Sequence, residues 1–138
     1  MNPEEAWFPG RLLELTQHEC LELLGGSRVG RVAYSTRTGP VVVPVNYHLD
    51  GTDVLLRTAP TTELAHHLGS SELALQVDEF DAFNESGWSV LVRGPAVRVD
   101  PYDLPAFLDA PRSWAGGSRP LLIRISGRAI SGRRLLPV

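Results

Sequence analysis

The sequence predicts a mainly β fold, a small antiparallel barrel with short helices at its rim. Its apolar residues fall in short runs rich in Val, Leu, Ile and aromatics, and these runs succeed one another through Gly, Pro and Asp turns. One long run is broken at Gly94-Pro95, and because proline cannot donate to a ladder, the break marks a bulge or a bend at the corner of a curved sheet. At 138 residues the chain suits one domain, and with 43% hydrophobic and 21% charged residues it has the composition of a folded one. The single domain is expected to span residues 1–138, with residues 1–11 as a loose N-terminal arm.

The first element is an amphipathic helix. Thr16 and Glu19 form a capping box, Leu21, Leu23 and Leu24 supply the apolar stripe, and Gly25-Gly26 stops it. "VGRVAYST" then reads as a strand, Gly39-Pro40 as a turn, "VVVPVNYHLD" as a second strand, and Asp50-Gly51 as the tip of a hairpin with "DVLLRT". "RTAPTTELAHHL" opens a short helix containing His66 and His67. "LALQVDEF" is the fourth strand and "GWSVLVRGPAVRVD" the long, interrupted fifth. A short helix over "PYDLPAFLDA", a loop "PRSWAGGSRP" and a last strand "LLIRIS" complete the series.

Charge and cysteine usage exclude several functions. Every basic side chain is arginine and the net charge is -3, so general attraction to nucleic acid or to an acidic membrane is not expected. Cys20 is the only cysteine and can make no internal disulfide, no apolar run is long enough to cross a bilayer, and no leader-like segment is visible. A cytoplasmic protein is expected.

Strand-to-helix turns offer unpartnered amides to an anion, which makes "RTAPTTE" a candidate phosphate turn with Arg57, Thr58, Thr61 and Thr62 as donors. Glu63 sits awkwardly there: ~6 Å from a phosphate, at an effective dielectric of about 20, it would cost ~2 to 3 kcal/mol per unit of phosphate charge. Pointing instead to solvent, it would meet the helix dipole favourably. His66 and His67 are adjacent on a helix and diverge, so they make no metal pair. His48, on a strand, is a weak candidate proton donor. His18 and Cys20 lack a third partner for a nucleophile, and "VDEFDAFNE" lacks the glycine and terminal glutamate of a calcium loop. No metal site is expected.

In order, the motifs "GRVAYST", "PVVVPVNYHLDGTDVLLRTAPTTELA", "VDEFDAFNESGWSVLVRGPAVRV", "WAGGSRPLLIRI" and "ISGRR" resemble the pyridoxamine 5'-phosphate oxidase-like FMN-binding split barrels, in particular the short actinobacterial, nitroimidazole-resistance-like type. The resemblance covers roughly residues 12 to 135. It implies a six-stranded antiparallel split β-barrel, a homodimer with flavin sites at the interface, and an FMN-dependent oxidoreductase acting on a small molecule such as a quinone or nitro compound. It places the flavin edge along Val43, Pro44, Val45 and Asn46, with Pro44 interrupting the ladder, and the phosphate at Arg57, Thr58, Thr61 and Thr62. From the partner subunit it brings Trp88 and Ser89 and the Trp114 loop; Trp88 either packs on the flavin or fills the dimer core. Two departures matter. Family members commonly carry a cation where this chain has Glu63, and "ISGRRLLPV" lacks the histidine of true pyridoxamine phosphate oxidases, although Arg133 and Arg134 can serve an anion. The alternatives are a barrel with weak or no flavin binding that serves as a ligand-binding or interaction module, and a deazaflavin-dependent reductase.

Overall fold

In the computed structural model, residues 10–58, 63–68, 72–104, 111 and 121–137 are described. Eight strands and two helices follow one another as β1 (Arg11–Glu14), α1 (Gln17–Gly25), β2 (Val29–Thr36), β3 (Gly39–Asp50), β4 (Asp53–Thr58), α2 (Glu63–His66), β5 (Glu72–Asp81), β6 (Ser86–Val99), β7 (Leu121–Ile125) and β8 (Ala129–Leu136). All strand pairs are antiparallel, and the order β6-β5-β2-β3-β4-β7 closes because β7 pairs with both β4 and β6. The expected six-stranded barrel is therefore present. Two further strands extend it: β8 pairs with β6 outside the ring and carries β1 on its far edge.

Period-two alternation sorts the side chains. Val32, Tyr34, Leu75, Val77, Trp88, Val90, Val92, Ile123 and Ile125 point inward and are nearly inaccessible. Fully burying one such aliphatic side chain contributes on the order of 2 kcal/mol. Helix α1 adds Cys20 and Leu24 to the same core. Its predicted capping box is intact: Thr16 Oγ1 accepts from the Glu19 amide at 3.2 Å and Glu19 Oε1 from the Thr16 amide at 2.9 Å. These bonds hold the Glu19 carboxyl below its ordinary pKa. At the other end of the helix the buried Tyr47 hydroxyl donates to the Leu24 carbonyl at 2.6 Å, tying α1 to β3.

The break at Gly94-Pro95 is a corner. Up to Pro95, β6 pairs with β5, and from Ala96 it pairs with β7, so the strand passes from one half of the barrel to the other at this dipeptide. A Cβ on Gly94 would overlap the Ser126 carbonyl oxygen, while Pro95 still accepts from the Ser126 amide at 2.9 Å. A second seam lies nearby. Arg124 Nη1 bridges Asp50 at 2.9 Å and Asp53 at 3.0 Å, and Asp53 also accepts from the Gly127 amide at 3.1 Å. The β3–β4 hairpin tip is thereby pinned to the chain after β7.

Three local expectations change. Strand β8 was not anticipated, because "AISGRRLL" has small and charged residues where a strand usually has bulk. Tertiary packing explains them: at Gly132 a Cβ would press on Cys20 Sγ, the Leu15 side chain and the Ser89 carbonyl, so the strand is shaped by the helix above it. In "PYDLPAFLDA" the described residues 101–104 start with a 3₁₀ turn, Pro101–Asp103, capped by Asp100, and Leu104 is extended because it precedes Pro105; the rest of the expected helix, residues 105–110, lies outside the described residues. Helix α2 is one turn long, so His66 belongs to it and His67 follows it.

Candidate functional site

The β3–β4 ladder closes like any hairpin from Asp50↔Asp53 to Tyr47↔Leu56, and there it stops. The next residues in register, Asn46 and Arg57, part company. Beyond this point β3 continues to pair with β2 as far as Thr36↔Gly39, while β4 pairs with β7 as far as Thr58↔Leu121. A gap thus opens between two strands of one barrel, and among the described residues Val43, Pro44 and Val45 have no strand partner on its side.

Pro44 fits this edge, though not by breaking the ladder. Arg31↔Pro44 is a regular pair inside the continuous β2–β3 ladder, which corrects the expectation of an interruption. The reason lies in the edge toward which its missing amide would point. Tyr47 donates its N–H to Arg28 on the β2 side, so by alternation the amide positions of Pro44 and Asn46 face the opposite side, toward the gap. A proline there costs no β2–β3 hydrogen bond.

Side chains divide by the same alternation. Val43 and Val45 turn inward onto the core, whereas Pro44, Asn46 and His48 lie on the outer face together with Arg57 across the opening. Thr58 turns the other way. It is 4% exposed and faces the interior by strand parity. Thr61, Thr62 and Trp114 lie outside the described residues. Arg57 itself donates Nε–H to the Pro111 carbonyl at 2.9 Å, so a two-pronged grip on an anion has to come from its two terminal nitrogens. Glu63 is exposed at the start of α2. Tyr34 makes a tilted ring contact with His67, centroids 5.2 Å apart at an interplanar angle of 41°, and burial, with a smaller push from the Glu63 charge, raises the Tyr34 hydroxyl.

Trp88 and Ser89 lie elsewhere. They sit on β6, three inter-strand steps from β3 through β5 and β2, or roughly 14 Å along the sheet. The Trp88 indole is 8% exposed and packs in the chain's own core. Ser89 faces outward and helps line a cleft of about 450 Å³ with Glu14, Leu91, Ser131 and Arg133. Sequence reading missed this cleft because it depends on β1 and β8. Among the described residues no group of three His, Cys, Asp or Glu side chains is placed to hold a metal ion, and no helix is long and apolar enough to cross a membrane.

A family model for pyridoxamine 5'-phosphate oxidase matches residues 16–134, the whole barrel and most of β8 beyond it. The chain belongs to the pyridoxamine 5'-phosphate oxidase family. An uncharacterised protein of this likeness from Mycobacterium tuberculosis is 27% identical over 131 residues, covering 91% of this chain and 86% of its own. Among solved structures, the FAD-binding protein of Mycobacterium smegmatis is 27% identical with a TM-score of 0.70, covering 90% of this chain and 98% of that one. An FAD-binding protein of Mesorhizobium loti, at 22% identity and a TM-score of 0.73 over 91% and 98% of the two chains, shares the fold. Family membership accounts for the split barrel. It leaves open which of the split's residues do chemistry, since a fold hosts many activities.

Proposed function

We propose that this protein is a flavin-binding oxidoreductase that works as a homodimer on a small electron acceptor, a quinone or nitro compound being the natural class. The observation that carries the reading is the opening of the β3–β4 ladder between Asn46 and Arg57. It combines an apolar strand edge with an outward amide and an arginine, which fits a flat ring with a phosphate tail. A bound flavin would supply hydride-level electron transfer. The chain's part is to orient and to shield: the Val43–Asn46 edge would meet the ring, and Arg57 would hold the phosphate. Thr61, Thr62 and the Trp114 loop keep their proposed roles at the phosphate and the rim. His48, on the same outer face as Asn46, remains the candidate proton donor. Ser89 can reach the ring only from a second copy, which is why the reading requires a dimer.

FMN is the proposed cofactor. FAD is the second reading, because the Mycobacterium smegmatis relative is an FAD-binding protein, and the two share the ring and first phosphate. The test is to purify the protein and titrate FMN, FAD and a deazaflavin while following absorbance. A stoichiometric yellow complex supports the proposal, and its preference separates FMN from FAD. No spectral change at tens of micromolar of either flavin defeats it, and binding of deazaflavin alone selects that reductase class. Anaerobic reoxidation of the reduced complex by a quinone or a nitroarene is the second arm. If the protein gives no acceleration over free flavin, it is a binding module and not an enzyme.

A further inference from the structure

We infer that Arg57 is a positioning residue: its Nε–H bond to the Pro111 carbonyl bolts the open end of β4 to the chain before β7, so that flavin affinity depends on a guanidinium and not merely on a positive charge. The bond is 2.9 Å long, half-buried, and joins residues 54 positions apart. It lies over an unusual patch. Leu55 and Leu122 are 0% and 1% exposed, yet both sit on the outside of the barrel wall and outside the main core cluster. Arg57 is the cross-strand partner of Leu122 and shares its face with Leu55, and Pro111, whose carbonyl it holds, is itself buried. The last residues of β4 lack β3 on one side, since that ladder has ended at Leu56. On the other side β7 holds them, and the link to Pro111 adds a tie that bypasses the sheet.

Lysine cannot reproduce the arrangement. Arginine presents Nε–H on one edge of a rigid plane and its terminal nitrogens on another, so it can hold a carbonyl and face an anion together, whereas lysine gathers all its donors on one atom. The second half of the inference rests on the flavin reading; the first half does not.

Arg57→Lys and Arg57→Ala, both flavin-free, would be compared with the parent protein by amide hydrogen exchange. Both variants are expected to speed exchange at residues 54–58 and 121–125 by about fivefold or more, as the loss of a half-buried hydrogen bond implies. Residues 31–33 and 74–76 in β2 and β5 should keep their protection. Parent-like exchange in Arg57→Lys overturns the tether, and so does an equal rise in β2 and β5, which would mean general loosening. In FMN titrations Arg57→Lys should bind about tenfold more weakly than the parent and within about threefold of Arg57→Ala. Arg57→Lys binding within about twofold of the parent overturns the guanidinium requirement. Should the parent bind no flavin at all, the functional reading fails while the exchange comparison still decides the tether.

Discussion

Glu63 places an exposed carboxylate at the start of a one-turn helix, five residues after the end of a strand whose Arg57 is the proposed phosphate donor. Its exposure favours the solvent-facing alternative, but even a screened surface charge acts over this range. Glu63→Lys is expected to tighten FMN about two- to fivefold, the size of an exposed charge contact, as read by flavin fluorescence titration. Unchanged affinity would place the side chain beyond the reach of the phosphate. Tyr47 carries a clearer energy. Its hydroxyl is buried, donates to Leu24 and has its pKa raised from 10.0 to about 12 by burial. A raised folded-state pKa means that this contribution is complete below pH 10 and is lost as pH climbs toward 12, roughly 2 to 3 kcal/mol in all. Tyr47→Phe should lower stability by about 1 kcal/mol near neutrality, because the Leu24 carbonyl loses its short buried bond and keeps the longer one, 3.3 Å, from the Ser27 amide. It should also flatten the alkaline limb of a melting-temperature profile.

At the scale of elements, the corner of β6 and the cap of α1 were both legible, and each for a local reason. Gly94-Pro95 interrupts a strong strand pattern, and Thr16 with Glu19 is a cap signature independent of anything distant. Gly94→Ala is expected to cost more than about 3 kcal/mol or to prevent folding, since its Cβ has no place beside the Ser126 carbonyl; urea denaturation measures it. Strands β1 and β8 were not legible. Arg11–Glu14 is exposed throughout and exists only through its pairing with β8, and β8 owes its Gly132 to a helix more than a hundred residues earlier. No window of the sequence contains both partners.

For the whole molecule, strand succession and a family likeness were enough to give the closed barrel, yet the candidate site was legible only in part. Asn46 and Arg57 were named from sequence and the structure brings them to one opening. Thr58 was named beside them and Trp88 as a contact from the partner subunit, and strand parity turns both inward in their own chain; a one-residue alternation decides this, and motif resemblance does not encode it. Ser89 faces outward but three strands away. Light scattering should therefore find twice the chain mass, and a monomer would leave each proposed site half built.

Barrel closure also orders events in time. Both pairings that complete the ring, β4 with β7 and β6 with β7, belong to residues 121–125, the last strand of the ring to leave a ribosome. Until then β4 and the second half of β6 are bare edges on a curled sheet, and exposed edges are where nascent chains find wrong partners. A chain truncated before Leu121 should thus be far more prone to aggregate than one truncated after Ile125. The five residues of β7 act as the clasp on a ring that is otherwise already made, with β8 left to add outside it.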